Sequence, residues 1–85
     1  MEKDSKNQLL LDLTLSLAFL CSWEEKGIEG EMIHRAWKGY DFGVLDKLME
    51  AGLIDFSYKA KSLCFTEEGL KKAQEIIARF DEAGR

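Results

Sequence analysis

Proline is missing from all 85 residues, so nothing in the chain imposes a fixed kink or a rigid linker. Cysteine occurs twice, as "FLCSW" around Cys21 and "SLCFT" around Cys64. Apolar neighbours suit reduced, packed thiols, and two cysteines make no disulfide framework. Histidine occurs once, at His34, and one histidine with two distant cysteines does not make a zinc set, which takes four ligands in close pairs. None of the seven glycines belongs to a phosphate-cradling loop after a strand. An excess of positive charge is also lacking: the net charge of −4 divides into −3 over residues 1–30, zero over 31–62 and −1 over 63–85. That balance excludes a broad electrostatic attraction to nucleic acid and leaves only local patches.

Long hydrophobic runs are short of membrane length. The run "LLLDLTLSLAFLCSW" covers 15 residues and includes Asp12, where a spanning helix takes about 20 mostly apolar residues. The preceding "MEKDSKNQ" sets two lysines against Glu2 and Asp4, so it lacks the positive charge of a secretory leader. The expectation is a cytoplasmic protein with no membrane segment. What is present is a globular balance, 46% hydrophobic and 33% charged, in a length that suits one small domain over residues 1–85.

Periodicity predicts helix 1 over about residues 8–26. Leu10, Leu13, Leu17 and Leu20 recur at three- and four-residue spacing as a core face. Leu11, Leu15 and Phe19 form a second stripe, interrupted only by Asp12, Thr14, Ser16 and Ser22 elsewhere on the helix. A helix apolar nearly all round is covered on both sides, and so short a chain has few elements to do it. The second stripe is therefore expected to meet another subunit, its alternative being an internal position within the monomer.

Gly27 and Gly30 end that helix. Helix 2 is expected at 31–38 with Met32, Ile33, Ala36 and Trp37 inward, and Gly39 stops it. Asp41 stands where an N-cap belongs, opening helix 3 over 42–51 with Phe42, Leu45, Leu48 and Met49 as its inner stripe. In "LIDFS" and "SLCFT" apolar and polar residues alternate, predicting strands at 53–57 and 62–66 with "YKAK" at the tip. Thr66 then caps helix 4, over 67–83, whose first turn carries Glu67 and Glu68 and whose inward stripe is Leu70, Ala73, Ile77 and Phe80. Helix, short turn, helix, hairpin, helix is the order of a winged helix-turn-helix, an α+β fold that is mainly α: a three-helix core, a two-stranded wing and a C-terminal helix.

The stretches Arg35-Ala36-Trp37-Lys38-Gly39, Gly52-Leu53-Ile54, Lys59-Ala60-Lys61-Ser62 and Thr66-Glu67-Glu68-Gly69 carry a family likeness. The chain resembles a family of small bacterial proteins known only as a domain of unknown function and, more broadly, the winged-helix superfamily. The likeness runs from about Leu10 to about Phe80. It implies a fold and no catalytic residues.

Chemistry is sparse. His34 stands on the outer side of helix 2 with no nucleophile placed to pair with it, and Glu24-Glu25, Glu67-Glu68 and Asp81-Glu82 are adjacent rather than facing acids. No catalytic, metal or cofactor residue is assigned, and no enzyme is expected. DNA binding would place helix 3 in the major groove and the wing beside it, but the exposed side of that helix carries Asp46 and Glu50, four apart and so on one face, against Lys47 alone. Two carboxylates facing a polyanion disfavour docking there. Basic and aromatic residues remain as contacts to DNA or to a protein partner: Lys47 on helix 3, Arg35 and Lys38 on helix 2, Lys59 and Lys61 on the wing, and Trp37, Tyr40 and Tyr58. An exposed aromatic beside Arg35 would have the composition of a protein-binding hot spot. The expectation is a non-catalytic interaction module that binds a protein partner. It is expected to be a homodimer held by helices 1 and 4 through Leu11, Leu15, Phe19, Ile77 and Phe80. The alternative is a small transcription regulator whose dimer touches DNA through the wing and helix 2.

Overall fold

A computed structural model describes residues 3–57 and 59–83. Among these the elements run α1 (Lys3–Leu20), β1 (Trp23–Lys26), β2 (Met32–Trp37), α2 (Phe42–Glu50), β3 (Ile54–Asp55), β4 (Ser62–Phe65) and α3 (Glu67–Ala83). The fold is α+β and mainly helical, with one antiparallel four-stranded sheet in the order β1-β2-β4-β3.

The largest departure from expectation lies between residues 23 and 37. The segment predicted as helix 2, 31–38, is instead the central strand β2, and the last turns predicted for helix 1 are strand β1. Between them Gly27–Glu31 makes a hairpin loop: Gly27 donates to the Glu31 carbonyl at 2.7 Å and Gly30 to the Gly27 carbonyl at 3.0 Å. Gly30 holds φ at +85°, a conformation that a side chain resists. The physical reason for the strand is tertiary. A lone helix of eight residues is too short to sustain itself, whereas β2 finds backbone partners on both sides, β1 through Trp23↔Arg35 to Lys26↔Met32 and β4 through Arg35↔Cys64 to Trp37↔Ser62. With β2 a strand, the first helix of a helix-turn-helix unit is not formed.

The 42–51, 62–66 and 67–83 segments take the expected types, while of the strand expected at 53–57 only Ile54–Asp55 forms. Asp41 caps α2, its carboxylate accepting from the Val44 amide at 3.1 Å. At the other end Gly52 turns at φ +78°, donating to the Met49 carbonyl while Leu53 donates to that of Leu48, both at 3.0 Å. This is a Schellman stop. Thr66 accepts the Gly69 amide at 3.0 Å as the cap of α3.

The core lies between the sheet and the three helices. Ala36, Ile54, Leu63 and Phe65 supply the sheet side, and Leu15, Ala18, Val44, Leu45, Leu48, Ala73 and Ile76 the helical side. Here α1 corrects a second expectation, because its two stripes are exchanged. Leu15 is 1% exposed and Leu11 and Phe19 pack against the core, Phe19 edge-on to Phe65 at 6.0 Å. Leu10, Leu13, Leu17 and Leu20, expected inside, are exposed, Leu20 by 66%. The exchange follows from side-chain size: Ala18 and Ser16 share the buried side with Leu15 and let the sheet and α2 approach closely. Ser16 is satisfied there by donating its hydroxyl to the Asp12 carbonyl at 2.8 Å.

Candidate functional site: the outer face of the sheet

Side chains opposite one another across paired strands share a face. From the register, Trp23, Glu25, Ile33, Arg35, Trp37, Asp55, Ser62 and Cys64 stand on one side of the sheet, while Ala36, Ile54, Leu63 and Phe65 stand on the core side. Among the described residues no helix packs on the first side, where aromatic, cationic and apolar groups converge.

Arg35 is its centre. Its Nε donates to Glu25 Oε2 at 2.6 Å, and its Nη1 reaches Ser62 Oγ at 3.5 Å and Cys64 Sγ at 3.2 Å. The two strands that flank β2 thus hold one guanidinium, still partly in water. Diagonally across β1 and β2, the rings of Trp23 and Trp37 meet at 4.8 Å with a 47° tilt. Trp37 is nevertheless 62% exposed. A tryptophan left that open is available to bury further area against a second surface.

The remaining sequence-predicted contacts scatter. Lys38 folds down beside α2, its ammonium donating to the Ser57 carbonyl at 2.8 Å and lying 4.7 Å from the Phe56 ring centre. Tyr40 is half-buried against the core, and burial, reinforced by neighbouring Cys21, pushes its phenol above the usual range. Lys47 is exposed on α2, and Lys59 and Lys61 are exposed in the β3–β4 connection. Tyr58 lies outside the described residues. Of the acids expected to repel DNA, Glu50 is exposed and Asp46 half-buried. The lysines and Arg35 therefore form no continuous cationic ridge among the described residues.

Trp23 and Glu25 were not among the expected contacts. They become site residues only because 23–26 pairs with 32–35. The signal was "GIEG", two glycines three apart between short runs, a hairpin cue overshadowed by the helical spacing around it. His34 points to the other side, 3.9 Å from Glu24. Both cysteines are free thiols. No cluster of three or more potential metal ligands occurs among the described residues.

Of the expected subunit contacts, Leu15 belongs to the core and Leu11 and Phe19 flank it. Ile77 and Phe80 instead line a shallow apolar groove with Leu13, Leu17 and Leu20.

Comparison with known proteins agrees with the bacterial family likeness. The family described as Domain of unknown function (DUF6429) matches residues 6–83, nearly the whole chain. The chain belongs to this family. A curated relative, "Uncharacterized protein y4hR" of Sinorhizobium fredii, is 49% identical over 45 residues, which are 52% of this chain and 61% of that protein. The chain thus spans about three-fifths of the length of the curated relative it matches. No solved structure matches the chain. No helix among the described residues is long and apolar enough to cross a membrane.

Proposed function

We propose that this DUF6429 domain is a non-catalytic, cytoplasmic protein-interaction module whose partner docks on the outer face of the sheet. The single observation that carries this reading is the exposed Trp37, in tilted ring contact with Trp23 and beside the tethered Arg35. Tryptophan and arginine dominate binding hot spots because each offers large contact area with a directional polar group. Arg35 is already positioned by Glu25, Ser62 and Cys64, so little of its freedom is lost on docking. The partner this face fits is a folded protein surface that inserts an apolar or aromatic side chain over the tryptophan pair and accepts from Arg35 at its rim.

The finer fold assignment, a winged helix, has one supporting feature. The β3–β4 hairpin follows α2 and pairs back onto β2, the arrangement of a wing on its sheet. On this reading the domain is a winged-helix derivative in which a hairpin replaces the first helix of the helix-turn-helix. A module so altered keeps the scaffold and loses the helix pair that docks in DNA.

The test uses photo-crosslinking from position 37, with a second crosslinker at exposed Lys71 as the control surface. A single protein trapped from position 37 and not from position 71, binding wild type in one-to-one ratio and weakened at least tenfold by Trp37→Ala, is expected. Duplex DNA binding below micromolar Kd at low salt, lost in Lys59→Ala/Lys61→Ala and kept in Trp37→Ala, would overturn the reading in favour of gene control.

A further inference from the structure

The opposite side of the molecule presents a different surface. Along α1, Leu10, Leu13, Leu17 and Leu20 stand in water with Ile77 and Phe80 of α3 beside them. Together with Leu9 they leave on the order of 500–600 Å² of contiguous apolar area, the upper end of what a monomer's largest patch reaches and about two-thirds of the roughly 800 Å² per partner of a standard interface. The stripe has the spacing of a coiled-coil seam. Positions 10, 13, 17 and 20 are the a and d places of two heptads, all leucine.

We infer that a second copy of this chain covers this stripe, its α1 antiparallel to the first about a two-fold axis between Leu13 and Leu17. The reasons are internal to the sequence. The intervals 3, 4, 3 read the same from either end, so an antiparallel copy sets Leu10 against Leu20 and Leu13 against Leu17, each pair occurring twice. An isologous interface requires that self-complementarity. Charge selects the orientation. The next d place towards the N-terminus is Lys6, which is exposed. A parallel pairing would put Lys6 against Lys6. The antiparallel one carries Lys6 past the C-terminal end of the facing α1, whose last turn holds no basic residue of its own. The Leu17 and Phe19 carbonyls there accept from the Cys21 and Ser22 amides, and the helix end as a whole carries the negative end of the helix dipole, which a lysine stabilises. Because the stripe and the sheet face lie on opposite sides of the helical layer, the dimer leaves both Trp37 faces open. The inference is therefore independent of what docks on them.

Light scattering across a concentration series tests the association. Wild type is expected at twice the 9.7 kDa chain mass, and Leu13→Glu/Leu17→Glu at the mass of one chain with an unchanged far-ultraviolet dichroism spectrum. These positions are exposed, so the double variant keeps its core. A wild type that remains monomeric at millimolar concentration, with or without binding to lipid vesicles, overturns the inference, as does a double variant that stays dimeric. Orientation is read in a background where Cys21 and Cys64 are serine. Mixed Leu10→Cys and Leu20→Cys chains are expected to oxidise to a cross-linked heterodimer. Cross-linking of each variant only with itself would establish the parallel arrangement and overturn the antiparallel one.

Discussion

The hydroxyl of Thr66 donates to the carbonyl of Gly52 at 2.6 Å, tying the cap of α3 to the turn that ends α2. The same oxygen accepts the Gly69 amide, and the Thr66 amide reaches the Leu53 carbonyl at 3.2 Å. One side chain thus closes two helix ends and brackets the β3–β4 hairpin between them. Thr66→Val keeps the shape and removes both hydroxyl bonds. A loss of about 1–2 kcal/mol of unfolding free energy is expected, at the upper end for a cap because two partners are orphaned. Urea titration followed by tryptophan fluorescence measures it.

Gly69 lies against the main-chain carbonyl of Leu53 so closely that any Cβ would overlap it. Since the obstacle is backbone, no rotamer change relieves it. Gly69→Ala should lower stability by about 1–3 kcal/mol or more, the range for overpacking. This opposes the gain of about 1 kcal/mol that alanine usually brings to a helix interior. A melting temperature at or above wild type would show that α3 can slide away from Leu53.

Much of this framework was legible in the chain. Asp41, Gly52 and Thr66 mark helix ends with their own chemistry, and each does in the structure what its residue type does generally. The strand Met32–Trp37 was not legible, because Met32, Ile33, Ala36 and Trp37 also satisfy helical spacing, and only pairing with β1 and β4 decides between the two. The faces of α1 were hidden for a related reason. With leucines all round, no one face stands out, and the small side chains of Ser16 and Ala18 mark the packed side more truly than the leucines do. The Arg35–Trp37 pairing was visible as composition. Its partners Trp23 and Glu25 were not, since they arrive through the hairpin.

Leu15 and Leu17, two residues apart, separate the core from the open face of α1. Leu15→Ala creates a cavity among Ala18, Leu45 and their neighbours and should lose about 2–5 kcal/mol at every protein concentration. Leu17→Ala empties no core volume. Its effect on melting temperature should be small in dilute protein and grow with concentration, because it acts through association. Calorimetry at two concentrations distinguishes them.

Tyr40 gives the stability a pH dependence with a definite sign. Burial, then the neighbouring Cys21, hold its pKa above the ordinary 10.0. The folded state therefore binds more protons than the unfolded chain once pH passes 10.0, and ∂ΔG/∂pH turns negative there. Below that pH both states hold the phenol proton and Tyr40 contributes no slope. As pH rises through its folded value, stability is progressively lost because the unfolded chain ionises first. Tyr40→Phe removes this component. Denaturant midpoints measured from neutral to strongly alkaline pH should fall less steeply in the variant than in wild type, and equal slopes would mean that the phenol is as well solvated folded as unfolded.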